Sequence, residues 1–543
     1  MLATVASAMA APRPNFLWIM ADDLGYGEVG VYPAGSAHGR LATPNLDRFA
    51  SSGMRFTDAY AGYTVCAPSR TTLMTGFHSG HFTQQGLSGT AISPDSKLQL
   101  LPELLKSAGY ATAAIGKIAP LTNPTQQGFD YFIGQVDQGY CHNMYPRFID
   151  EGNATSNINL TLNWAIPVDA NAARAACMAN PQNFNYTVDI TSQQALGWLL
   201  THVASTKSTG QAKPFFLYQA YTVPHAGGWG HAPLEPEQGA PVPSDGQYAP
   251  QTGWPHVERD HAAVVTYLDA RVGEMMDALD TLQLTSSTLV VFASDNGAHL
   301  EGGHSQLFFN STGGLSGHKR SLFEGGVRSP TMVRWPGTIA AGTVSPFRWA
   351  FWDALPTFAE LASVPAPSGR DGVSIVPTLM GKPQPAKEYL YFTWPGADRG
   401  TAAEALPEGW RAEQDARGTL VYVRVDTGAV QTRHPSLLLR GGGGDSEAEA
   451  DGLVEEGGTA TATADGKGPS GFAIVSGEWK ALVPHCAAAS PSAADLANVQ
   501  LYHLPSDWPE TNDLSATSTG KPHAQRLLGL AMNASVMCGC FQC

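Results

Sequence analysis

Two continuous apolar runs, each stopped by a pair of oxygen-bearing side chains, constrain this chain more than any other feature. Asn15 to Met20 (NFLWIM) is followed by Asp22-Asp23, and Ser287 to Ser294 (STLVVFAS) by Asp295-Asn296. A run without alternating polar residues reads as a strand buried on both faces, as in a parallel sheet covered by helices. Such sheets bind ligands at the carboxyl ends of their strands. Asp22, Asp23, Asp295 and Asn296 are therefore expected to converge at one sheet edge. Either pair alone could cap a turn; the repetition points to a shared site. Three carboxylates and an amide offer only hard oxygen donors, which suit Ca²⁺, with Mg²⁺ as the alternative, better than zinc.

The segments between the runs alternate as βα units do: helices over 45–52, 101–108, 188–204 and 256–282, and strands over 55–60, 110–115 and 214–221. The spacing predicts an α/β fold, a large mixed sheet flanked by helices. After about Gly381 the pieces shorten (Leu420 to Val425, Phe472 to Val475, Trp479 to Val483), which predicts a smaller C-terminal α+β domain. The expected division is a signal remnant over 1–13, a catalytic domain over 14–381 and the smaller domain over 382–543. The stretch 441–470, poor in apolar residues and rich in Gly, Glu and Ala, reads as a surface loop without chemistry.

With 47 acidic against 32 basic side chains, the formal net charge of −15 argues against nucleic acid as a partner. No stretch of about 20 uncharged apolar residues is present, so no transmembrane span is expected. Seven cysteines leave at least one unpaired or chemically special, and Cys66 is the candidate. Cys141, Cys177, Cys486, Cys538, Cys540 and Cys543 are expected in disulfides rather than in a zinc site. Sequons at Asn153, Asn159, Asn185, Asn310 and Asn533 point the same way, to a glycoprotein of the secretory pathway, secreted or lysosomal/vacuolar.

The most specific segment is Cys66-Ala-Pro-Ser-Arg70-Thr-Thr-Leu-Met-Thr-Gly76. It resembles the C-x-P-S-R-x-x-L-x-T-G signature of the type I sulfatases, formylglycine-dependent, arylsulfatase-like enzymes of the alkaline phosphatase superfamily. The resemblance continues through Pro14 to Gly25, Pro214 to His225, Ser294 to Gly297, Gly317 to Pro330, Trp335-Pro-Gly337, Asp371 to Ser374, Leu379 to Gly381 and Leu501 to Leu504. It covers about Pro14 to Asp513, in family order.

That resemblance implies an alkaline phosphatase-like fold and a sulfuric ester hydrolase acting on a sulfated small molecule or carbohydrate. Cys66 would be converted to Cα-formylglycine by the formylglycine-generating enzyme. One hydroxyl of the hydrated residue attacks sulfur and displaces the alcohol, and the other helps to expel sulfate as the aldehyde re-forms. Residue 66 would join Asp22, Asp23, Asp295 and Asn296 around the metal. Arg70 would orient the nucleophile, Lys117 and Lys319 would bind sulfate oxygens, and His225 would protonate the leaving oxygen. Cys66 also precedes a helix expected over Ser69–Met74, whose free N–H groups favour an anion.

One departure stands out. Many relatives continue the lysine motif as G-K-W-H-L-G, whereas this chain reads Gly116-Lys117-Ile118-Ala119-Pro120. Ala119 cannot act as a base. The segment Cys141-His142-Asn143-Met144-Tyr145-Pro146 fits an H-N-x-Y-P pattern of a branch without that histidine, which makes His142 the expected replacement. Two other readings remain: a phosphoester or phosphonate monoester hydrolase on the same scaffold, and a non-catalytic sulfate-binding relative.

Overall fold

A computed structural model of the protein describes residues 13–32, 40–82, 89, 91–153, 157–163, 165–167, 169–210, 213–228, 239–394, 410–414, 420–424, 430–431, 471–483 and 499–536. The expectations for 1–12 and for the loop 441–470 lie outside this set.

The main sheet has ten strands: β1 (Asn15–Asp22), β2 (Met54–Phe56), β3 (Ala111–Lys117), β4 (Tyr131–Gln135), β5 (Phe148–Asn153), β6 (Asn157–Thr161), β7 (Phe215–Pro224), β8 (Thr288–Ser294), β9 (Thr331–Arg334) and β10 (Thr343–Ser345). Their spatial order is β10-β2-β9-β8-β1-β7-β3-β4-β5-β6. The centre, β8-β1-β7-β3-β4, is parallel, and antiparallel pairing enters only outside it, at β8-β9-β2 and β4-β5-β6. Every residue of β1, β7 and β8 is buried, as an apolar run without alternation requires.

Six helices carry the argument here: α1 (Pro44–Ser51), α2 (Cys66–Thr75), α3 (Leu101–Ser107), α4 (Thr187–Thr209), α5 (His256–Thr281) and α6 (Ala354–Leu361). Strand side chains alternate between two cores. Leu17 and Ile19 join Leu217, Phe292, Leu199 of α4 and Leu268 of α5 on one face. Phe16, Trp18 and Met20 join Tyr218, Leu73 of α2, Leu105 of α3 and Phe358 of α6 on the other.

The expected strand over 55–60 is divided. Met54–Phe56 enters the main sheet, while Ala59–Tyr60 pairs with Trp349–Ala350 in a separate ribbon. The guanidinium of Arg328 sits at the break, donating to Thr57 O at 2.5 Å and to Asp58 Oδ1 at 3.1 Å. The expected helix over 69–74 starts earlier, with Cys66 as its first residue, and stops at Gly76, which takes φ 73° and donates its N–H to Thr72 O. That left-handed stop is one glycine adopts without strain.

The C-terminal part contains an antiparallel sheet of β11 (Leu390–Trp394), β12 (Gly471–Ser476), β13 (Trp479–Val483) and β14 (Gln500–His503). Helix α7 (Gly520–Val536) covers one face through Leu527 and Leu528. The other face packs Phe392, Val475 and Leu482 against Leu322, Phe323 and Trp352 of the preceding part. The strand expected over 420–425 is Leu420–Arg424, in a three-stranded sheet with Trp410–Gln414 and Val430–Gln431.

A buried ionic clasp joins the two parts. Lys480 Nζ lies 3.0 Å from Glu324 Oε1 and 2.9 Å from Glu510 Oε1, and Arg328 grips Glu324 Oε2 through Nε at 2.7 Å and Nη2 at 2.5 Å. Burial alone would raise Glu324; Lys480 and Arg328 reverse that and hold it at about 2, whereas burial pushes Glu510 up to about 7. Lys480→Met strands these carboxylates, and an uncompensated buried charge costs about 3–5 kcal/mol. The expected result is a melting temperature lower by several degrees; a variant that melts with the wild type would remove the clasp as a stabilising device.

Two expectations are corrected. Cys141 and Cys177 are free rather than disulfide-bonded. Cys141 Sγ donates to Gln138 O at 2.9 Å, and Cys177 packs in the apolar core; burial raises both thiols, Cys177 to about 12, which keeps them protonated. Cys486, Cys538, Cys540 and Cys543 lie outside the described residues. Asn153, Asn159 and Asn185 are exposed, but the Asn310 amide nitrogen is buried, so that sequon is not an accessible acceptor in the folded chain. The side chain of Asn533 lies outside the described set. Among the described residues, no helix is long and apolar enough to cross a membrane.

Candidate active site

The carboxyl ends of β1, β8, β7 and β3 meet at one edge, and the expected residues meet there with them. Asp22 closes β1 and Asp23 follows at φ 69°, a left-handed conformation that Asp tolerates. The Asp23 N–H donates to Asp295 Oδ1 at 3.2 Å, and Asn296 Nδ2 donates to Asp23 Oδ1 at 2.7 Å. These bonds lock the two acidic pairs together.

Charge in this cluster is out of balance. Burial, reinforced by neighbouring Asp22, pushes Asp295 up to about 7, and burial also raises Asp23. Asp22 escapes, because Lys117 and Arg70 outweigh its burial and hold it well below the usual range. Asp22 Oδ1 and Asn296 Oδ1 are buried without a hydrogen-bond partner. Orphaned hard oxygens beside carboxylates that resist ionisation fit a divalent cation. Cys66 Sγ belongs to the same cluster, within 4.8 Å of ligand atoms of Asp22 and Asp295.

Cys66 is the first residue of α2, where backbone N–H groups lack intrahelical acceptors. Arg70 is one turn later on the same face. Its Nε and Nη2 reach Asp295 Oδ2 at 2.8 and 2.6 Å, its Nη2 stands 3.5 Å from Asp22 Oδ2, and its Nη1 donates to Lys117 O at 3.1 Å. Lys117, ending β3, places Nζ 2.7 Å from Asp22 Oδ2 and 2.9 Å from His142 Nε2.

Lys319 Nζ lies 3.0 Å from Asp23 Oδ2 and 2.8 Å from His225 Nε2. His225 follows β7, and its Nδ1 bonds the Ala226 carbonyl. A carbonyl only accepts, so Nδ1 carries the proton and Nε2 faces the centre with its lone pair. The His142 ring stacks on that of His225 with centroids 4.0 Å apart and planes 9° apart. The structure thus brings together all ten residues singled out above: Asp22, Asp23, Cys66, Arg70, Lys117, His142, His225, Asp295, Asn296 and Lys319.

Two residues here had no motif to mark them. Gln138 Nε2 lies 3.1 Å from Cys66 Sγ, and Glu301 Oε2 lies 2.9 Å from Lys319 Nζ and 3.3 Å from His225 Nε2. Behind the edge, Glu28 accepts the Gly25 N–H at 2.7 Å and stands 2.5 Å from His261 Nε2. His261 stacks on His304, whose Nδ1 is 2.8 Å from Glu258. This buried network braces the turn that follows Asp23.

The sulfatase family model matches residues 14–364. The chain is 32% identical over 399 residues to N-acetylgalactosamine-6-sulfatase of Homo sapiens, covering 69% of this chain and 67% of that protein. It is 32% identical over 428 residues to arylsulfatase A of Homo sapiens, covering 74% and 75%. A solved structure described as Ps i-CgsB in complex with k-i-k-neocarrahexaose superposes with a TM-score of 0.60 at 22% identity, over 96% of this chain and 93% of that one. At that identity the likeness is one of fold.

Proposed function

The chain belongs to the sulfatase family and is a sulfatase, and from that premise we propose that it hydrolyses sulfate monoesters of carbohydrates or aryl alcohols through a formylglycine formed at Cys66 beside a Ca²⁺ site. The observation that carries this reading is the convergence of Cys66 and Arg70 with both acidic pairs on one sheet edge, flanked by Lys117 and Lys319. Carbohydrate sulfates are the favoured class, because a relative at 32% identity is an N-acetylgalactosamine-6-sulfatase.

Asp22, Asp23, Asp295 and Asn296, with residue 66, would hold the cation. Bound Ca²⁺ would neutralise the acidic cluster and polarise a sulfate oxygen. Hydrated formylglycine would supply the attacking hydroxyl and a second hydroxyl that helps to expel sulfate. The chain's own residues do the rest. Arg70 fixes Asp295, and the ammonium groups of Lys117 and Lys319 bind the equatorial oxygens where charge builds up. His225 directs Nε2 into the centre; with Nδ1 already protonated against the Ala226 carbonyl, a second proton taken up at Nε2 makes the ring an imidazolium, and that proton passes to the leaving oxygen.

His142 takes the place left by Ala119, its Nε2 directed at Lys117 rather than at solvent. His142→Ala is expected to slow turnover of an aryl sulfate roughly 10²-fold, in the range of general acid–base catalysis. It should convert linear product release into a burst of the phenol followed by a slow phase. A variant with near-normal turnover would leave His142 a structural role. The proposal includes the remaining assignments: maturation by a formylglycine-generating enzyme, and passage through the secretory pathway, supported by exposed Asn153, Asn159 and Asn185. It also includes a catalytic domain over 14–381 and a C-terminal domain over 382–543, supported by the change from a mixed to an antiparallel sheet. The deciding test is turnover of an aryl sulfate against the matching aryl phosphate; faster cleavage of the phosphate would overturn the reading.

A further inference from the structure

Lys319 has a claim on every donor it carries. An ammonium has three N–H groups, and Asp23 Oδ2, His225 Nε2 and Glu301 Oε2 stand at 3.0, 2.8 and 2.9 Å from Nζ. A sulfate oxygen reaches Lys319 only by taking one of these places. Asp23 and His225 are fully buried at the ends of β1 and β7. Glu301 is the partner that meets solvent, with its side chain 15% exposed. It opens the turn Glu301–Gly303, in which Gly302 and Gly303 take φ of 66° and 83°. Its second oxygen, Oε1, pairs with Arg320, whose side chain is 31% exposed. The carboxylate can therefore release Lys319 while Arg320 keeps it beside the bound anion.

Charge makes that position selective. A sulfate monoester carries one negative charge and a phosphate monoester two at neutral to alkaline pH. Repulsion from a neighbouring carboxylate scales with the charge of the ligand, so the dianion is penalised about twice as much. We propose that Glu301 sets the anion selectivity of the site: it holds the Lys319 donor that the substrate's sulfate group takes over, and its retained charge favours a monoanionic ester over a dianionic one. This rests on the reading of Lys319 as a sulfate-binding residue.

The test uses the mature, metal-loaded enzyme and its Glu301→Gln and Glu301→Asp variants, with an aryl sulfate and the matching aryl phosphate at a pH where the phosphate is dianionic. Glu301→Gln keeps the shape and removes the charge. It should lower KM for the aryl sulfate several-fold and raise kcat/KM for the phosphate relative to the sulfate by about tenfold or more. Glu301→Asp, which keeps the charge, should hold the wild-type ratio within about twofold. A residue that merely braced Lys319 would behave oppositely, with KM rising in the Gln variant and the ratio unchanged; either result overturns the inference. Melting curves of both variants identify any loss of fold. A wild type that prefers the phosphate ester sinks the functional reading and this inference together. A wild type that prefers the sulfate while Glu301→Gln leaves the ratio untouched sinks only the role of Glu301.

Discussion

Cys66→Ala is expected to remove turnover of aryl sulfates by at least about 10⁴-fold, the scale on which losing a covalent nucleophile acts. The fold should survive. Cys66 is 3% exposed and its thiol accepts a hydrogen bond from Gln138, so alanine strands no charge and opens only a small cavity. The loss should appear in kcat, with little change in melting temperature. In the active wild type, the peptide containing residue 66 should be lighter by the difference between CH₂SH and CHO. Fully active protein that retains an ordinary cysteine at 66 would refute the mechanism proposed above.

Removing the cation should be nearly as severe, costing at least about 10³-fold in turnover, and Asp295→Asn should do the same. Stability carries a second signature, through pH. In the metal-free protein Asp295 is raised to about 7 by burial and Asp22, against about 3.9 for an unfolded aspartate. A group raised on folding binds a proton more tightly in the native state, so its contribution is complete below about pH 4 and is lost as pH rises through about 7. Chelated enzyme should therefore lose melting temperature across that window. Ca²⁺ should restore it by replacing the proton, so the gap between loaded and chelated samples widens with pH. Asp295→Asn should flatten the profile. A gap that stays constant from pH 4 to 8 would speak against Asp295 as a ligand.

The central strands and the pairs Asp22-Asp23 and Asp295-Asn296 were legible from a pattern with a physical cause, whereas Cys66, Arg70, Lys117, His142, His225 and Lys319 were marked by the resemblance to type I sulfatases. An unalternating apolar run must be buried on both faces, and its end must face the ligand edge. The helix expected from Ser69 begins at Cys66, with Pro68 inside its first turn. Proline is tolerated there, since the N–H that it lacks would have had no intrahelical acceptor. The break between Phe56 and Ala59 depends on Arg328, far along the chain, so no local signal announced it. Cys141 and Cys177 looked like disulfide partners by their count, but burial, which no count records, accounts for both. Glu301 belongs to no motif and no periodic face; only the folded turn carries its carboxylate to Lys319.

The clasp at Glu324 has a consequence for the order in which the enzyme assembles. Glu324 is separated by 156 residues from Lys480 and by 186 from Glu510. A chain growing from its N-terminus therefore exposes Glu324 and Arg328 long before the lysine that balances them. The turn at Glu324 sets Gly326 O against Gly297 N at 3.0 Å, next to Asn296, and Ala298 O receives the Lys319 N–H at 2.8 Å. Both arms of the catalytic edge are thus latched from behind by β13, which is made late. The latch behind this edge can close only once β13 has been made. Truncation ahead of Lys480 would give an unlatched enzyme rather than a smaller one.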